Sequence, residues 1–92
     1  MKKIIDVADY FPLTDSDTEY NSFKSGYEIV KIGIWWSAIL LSDTDTNRIV
    51  SLRKWRRRDG EWKPFRSSYY GINSRKQLED TIKALQEMLV HM

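Results

Sequence analysis

Arg53, Trp55 and Arg57 are spaced at every second residue, so an extended chain would set two guanidinium groups and an indole on one side. Arg56 lies between them, and beyond the next turn Trp62, Lys63, Phe65 and Arg66 repeat the mixture. Interleaved cations and flat rings suit an unpaired polynucleotide. Lysine and arginine neutralise phosphates and release their counterions. Exposed bases need apolar surfaces to stack on, each worth about 1–3 kcal/mol. Residues 48–66 hold eight bases against Asp59 and Glu61, a net of +6 in a chain whose total is only +2. Residues 1–28 lean the other way, with six acids against three lysines.

Other chemistries lack their residues. There is no cysteine, so no thiol nucleophile, disulfide or zinc–thiolate site. The one histidine, His91, stands beside the last residue, a poor place for a general base. Asp43 and Asp45 have the spacing of one strand face but sit in a turn-like segment with no histidine or phosphate loop nearby. We therefore expect no catalysis, metal, cofactor or small-molecule substrate. The longest apolar run, Ile32 to Leu41, is interrupted by Gly33 and Ser37 and falls short of the ~20 residues that span a bilayer. The Met1-Lys2-Lys3 start soon meets Asp6 and Asp9 and lacks a signal peptide's apolar centre. The expectation is a soluble cytoplasmic protein with no membrane partner, nucleoid-associated if cellular.

Ninety-two residues make one domain. Residues 1–26 read as an acidic arm, with a small apolar cluster from Ile4 to Phe11 forming one short strand or helical turn, then a polar loop. From Tyr27 the pattern becomes period-2: Val30, Ile32, Ile34, Trp36, Ala38 and Leu40 define an apolar face, with a bend or break expected near Gly33. Residues 42–47 form a polar turn, and 49–57 alternate again. Asp59-Gly60 is a hairpin signal, and Glu61 to Ile72 return as a strand, irregular or at an edge because of Pro64. Ser74 and Gln77 have capping-box spacing, and Leu78, Ile82, Leu85 and Leu89 then form one stripe of a helix of about four turns. That helix carries three bases and three acids, so it is no groove reader for duplex DNA. The order is arm, three or four strands, then a helix. One sheet and one helix leave apolar surface open, and a helix packing against its twin in a homodimer would close it.

The stretch Ile49 to Trp55, the turn Gly60-Glu61-Trp62-Lys63-Pro64-Phe65-Arg66, the step Gly71-Ile72 and the closing helix resemble the single-stranded-DNA-binding domain of the PC4 (p15) transcriptional coactivator family and its YdbC-like bacterial members. The resemblance covers about residues 27–90. It implies an α+β fold, a curved four-stranded antiparallel sheet followed by one amphipathic helix, dimerising through the helices. It also implies phosphate contacts by Arg53, Lys63 and Arg66. Trp55 falls where the family places a base-stacking ring, unless a one-residue offset puts Arg56 there. Residues 67–70 lengthen the link before Gly71, and the acidic arm is unlike the family's lysine- and serine-rich tail.

Together these readings lead us to expect single-stranded DNA binding with little sequence preference, in transcription, replication or recombination, through Arg53, Trp55, Arg56, Arg57, Lys63 and Arg66 in residues 27–92. RNA would fit the same surface. The alternative is a protein-interaction module using the acidic arm and the basic strand. The arm could also fold back and compete with phosphate.

Overall fold

The computed structural model describes residues 1–92. The chain forms β1 (Lys2–Ile4), α1 (Val7–Tyr10), α2 (Asp15–Tyr20), β2 (Ser22–Ile32), β3 (Trp35–Asp43), β4 (Arg48–Arg58), β5 (Glu61–Pro64), β6 (Tyr70–Ile72) and α3 (Arg75–Val90). The class is α+β, with one antiparallel sheet and a C-terminal helix, but the sheet has six strands rather than four. Strands β1 to β5 are neighbours in sequence order. A 3-10 turn at Arg66–Ser68 interrupts the returning chain, so β5 and β6 share one edge of β4. No helix is long and apolar enough to cross a membrane.

The run from Tyr27 to Leu41 breaks at Gly33, and the break is a hairpin. Ile32 pairs with Trp35, leaving Gly33 and Ile34 as the whole turn, and Gly33 has a φ of 58°. Glycine in first place with positive φ matches the twist of the flanking strands. On β3 the even residues Trp36, Ala38 and Leu40 are buried as alternation requires. Val30 and Ile32 on β2 are exposed instead. A register shift between Glu28 and Val30 inserts a residue and reverses the parity. Asp59 and Gly60 form the expected tight turn, both with positive φ, between Arg58 and Glu61.

The division at residue 26 does not separate two units, because Gly26 lies inside β2 and pairs with both Ile4 and Leu40. The first residues are the cover of the core. Ile4, Val7 and Phe11 pack with Trp36, Ala38, Leu40 and Trp55. A lone sheet must bury one face against something, and here the N-terminal apolar cluster does it in place of the helix. Glu28 Oε1 fixes this cover by accepting from the Tyr10 hydroxyl at 3.0 Å and the Trp36 indole N–H at 2.8 Å. The acidic stretch expected as a loop is α2, started by a capping box. The Thr14 hydroxyl accepts from the Asp17 N–H, and the Asp17 carboxylate accepts from the Thr14 N–H.

Helix α3 begins as expected, with Ser74 Oγ accepting the Gln77 N–H at 3.1 Å. The Gln77 amide, instead of completing a capping box, donates to the Tyr70 hydroxyl at 3.0 Å. None of its residues is buried, and its apolar stripe stands open: Leu85 is 58% and Leu89 71% exposed.

Candidate nucleic-acid interface

Strand β4 has two unlike faces. Ser51, Arg53 and Trp55 point under the N-terminal cover, opposite Leu40, Ala38 and Trp36 of β3. Leu52, Lys54 and Arg56 point to the open face, opposite Ile39, Ser37 and Trp35. Both faces mix cations with aromatic rings, which is why alternation alone did not separate them.

On the covered face the expected stacking ring, Trp55, is 1% exposed. Phe11 lies flat on it, ring centroids 5.5 Å apart and planes 13° apart, and Trp36 packs at 5.8 Å. As the free chain is folded, Trp55 is a core residue and not a free platform. Arg53 is buried too. Its guanidinium donates to Asp17 Oδ1 at 2.9 Å, to Ser51 Oγ at 3.1 Å and to the Tyr69 hydroxyl at 3.0 Å. A buried cation needs such partners, because an unpaired charge in a low dielectric is costly. Burial pushes the Asp17 carboxyl up, but the Thr14 N–H and the Arg53 guanidinium outweigh it and hold Asp17 below its usual range.

The remaining expected residues are exposed. Arg56 and Arg57 lie near the end of β4, Lys63 on β5 and Arg66 in the 3-10 turn; Arg58, not among the expected residues, is exposed at the last position of β4. Lys63 stands across from Arg56, its Nζ 3.6 Å from Glu61. The six ion pairs of the chain leave Arg56, Arg57, Arg58 and Arg66 without a carboxylate partner. In contrast, Arg48 is engaged by Asp43 at 2.7 Å; this hydrogen bond lowers the Asp43 carboxyl and raises Arg48.

Flat surface on the open face comes from two residues that strand alternation did not single out as a pair. Trp35 and Phe65 meet edge to face at 5.3 Å, both half-buried. Lys54 Nζ lies 4.5 Å from the Trp35 ring centroid, and the Arg56 guanidinium 5.5 Å from it. Trp35 could have been found only by reading Gly33-Ile34 as a two-residue turn, since that places it at the start of β3, opposite Arg56. On the opposite rim, Arg57 pairs with Trp62, and Lys31 Nζ sits 3.9 Å from Trp36 and 5.8 Å from Trp62.

The open end of the β4–β5 hairpin therefore presents Trp35 and Phe65 with Lys54, Arg56, Arg58 and Lys63 around them. No group of three or more His, Asp or Glu side chains is gathered to hold a metal. Comparison with family models, with curated proteins and with solved structures returned no match to this chain.

Proposed function

We propose that this chain binds single-stranded DNA with little sequence preference, without chemistry on the strand, as an accessory to transcription, replication or recombination. One observation carries the reading: Lys54 and Arg56, neither engaged by a carboxylate, lie against the Trp35–Phe65 pair on the open face of the sheet. Phosphates take Arg56, Arg58 and Lys63, and bases stack on the solvent-facing ring surface of Trp35 and Phe65. Only an unpaired strand offers base faces to such a surface. Helix α3 is unsuited to a duplex groove, since Arg75 and Lys76 are committed to Glu79 and Asp80 at 3.0 and 2.9 Å. The resemblance of Gly60 to Arg66 to the PC4 family turn supports the same reading.

The protein acts as a homodimer in this proposal. Ile82, Leu85, Met88 and Leu89 form a solvent-facing apolar stripe, which a second α3 would cover.

Fluorescence-polarisation titration with an unstructured oligo-dT over a salt series tests the function. Binding should weaken with salt, with a slope of about −0.7 in log K against log salt for each phosphate neutralised. Duplex of equal length should compete poorly, and oligo-U comparably. Absence of binding at low salt, or binding indifferent to salt, rejects the proposal.

A further inference from the structure

The N-terminal cover lies over the part of β4 whose residue types match those of the open hairpin end. Two of its contacts have the chemistry of a bound nucleotide. The Asp17 carboxylate sits on the Arg53 guanidinium at 2.9 Å, as a phosphate oxygen would. The Phe11 ring lies nearly parallel to the Trp55 indole, 5.5 Å away with 13° between the planes, as a stacked base would. Ser51 and Tyr69 take the other guanidinium donors, so Arg53 is held with one nitrogen aimed at the anion. Arg53, Asp17 and Tyr69 also line one small pocket together with the exposed Arg66.

We propose that Arg53 and Trp55 form a second contact site for single-stranded nucleic acid, which Asp17 and Phe11 fill in the free chain and which an arriving strand takes over by displacing α2 and the residues around Phe11. The inference rests on the nucleic-acid reading above. Exchange of carboxylate for phosphate leaves Arg53 paired in both states, so no buried charge is exposed along the way. Helix α2 is suited to leaving, whereas Phe11, 3% exposed, gives up core contacts that a base stacked on Trp55 must replace. Helix α2 has six residues and none of them is buried. A helix so short has little stability of its own. Asn21 adds one hydrogen bond, from the Ser42 hydroxyl at 3.3 Å. A strand entering over Arg66 would also repel Asp17 and the exposed Asp15 and Glu19 on the same helix.

Hydrogen exchange of the unaltered full chain, with and without saturating oligo-dT at low salt, reads the displacement directly. Amides of residues 11–21 should exchange faster in the complex, while β3 and β4 keep their protection. A parallel titration compares Asp17→Asn with Asp15→Asn, which removes the same charge from the same helix without touching Arg53. Asp17→Asn should tighten binding about fivefold more than Asp15→Asn, the order expected when one charge-assisted hydrogen bond becomes neutral. Binding of oligo-dT with undiminished protection at residues 11–21 and equal effects of the two variants would overturn the covered site and leave the hairpin reading intact. Failure of the unaltered chain and both variants to bind oligo-dT at low salt would bring down the nucleic-acid reading itself.

Discussion

Replacing Phe11 by alanine should cost this protein a large share of its stability. Phe11 is 3% exposed and touches three rings: Trp55 and Trp36 at 5.5 Å and Tyr10 at 5.0 Å. Truncating a core phenylalanine costs about 3–5 kcal/mol, because transfer energy is lost and a cavity remains. Aromatic pairs add about 0.5–1.5 kcal/mol each beyond buried area, which argues for about 4 kcal/mol here. The whole of a chain of 92 residues is stable by about 5–14 kcal/mol. Urea unfolding followed by tryptophan fluorescence, at one fixed protein concentration, would measure the loss. With a slope of about 2 kcal/mol per molar urea, the midpoint should fall by about 2 M. Ile5→Ala is the control from the same segment, since Ile5 is 65% exposed, and it should stay within about 0.5 kcal/mol of the parent. Equal midpoints for Phe11→Ala and Ile5→Ala would refute the argument and return residues 1–26 to the status of a dispensable arm.

Other outcomes follow from the same geometry. Arg56→Ala and Lys63→Ala should each reduce the salt slope of oligo-dT binding by about 0.7, with stability changed by no more than about 0.5 kcal/mol, as read by paired titration and urea unfolding. Trp35→Ala should weaken oligo-dT binding by about 1–3 kcal/mol in the same titration, the worth of one stacked base, whereas an unchanged affinity would remove Trp35 from the interface. Asp17 titrates below its ordinary value of 3.8 in the folded chain, so its stabilising effect is present above that pH and disappears as pH falls through the folded value. Urea midpoints should therefore drop on acidification below about pH 4, and less steeply in Asp17→Asn. For the homodimer proposed above, Leu85→Glu combined with Leu89→Glu should halve the sedimenting mass in analytical ultracentrifugation, because two carboxylates cannot be buried unpaired between helices, and an unchanged mass would reject dimerisation through α3.

Much of the fold was legible because it is written in local periodicity. Trp36, Ala38 and Leu40 alternate into the core as their spacing demands, and Asp59-Gly60 makes the turn that its positive φ values favour. The stripe from Leu78 to Leu89 and the Ser74 cap delimit α3. Thr14 and Asp17 also had capping spacing, but threonine and aspartate favour turns for the same hydrogen-bonding reasons, so α2 was hidden. The parity of β2 was not legible, because the shift between Glu28 and Val30 inserts a residue that no local preference marks. For the candidate site, the exposed cations Arg56, Arg57, Lys63 and Arg66 were legible from charge density. The ring that lies beside Arg56 on the open face, Trp35, was not singled out, and Trp55, which was, is covered in the folded chain.

Taken alone, the amino-acid order determined the strands-then-helix succession from Tyr27 onward, the hairpin at Asp59-Gly60, the start of α3 at Ser74 and the +6 segment from 48 to 66. It also determined that Arg53, Trp55 and Arg57 share one side of β4, since a pleated chain repeats every second residue. Which side meets water was decided only in three dimensions. Both sides carry arginine or lysine and aromatic rings, so neither is intrinsically the interior. The choice falls to a segment more than thirty residues away in the chain, where Phe11 finds Trp55 and Asp17 finds Arg53. Burial is a contest among distant groups for the same surface, and spacing along a strand does not reveal its winner.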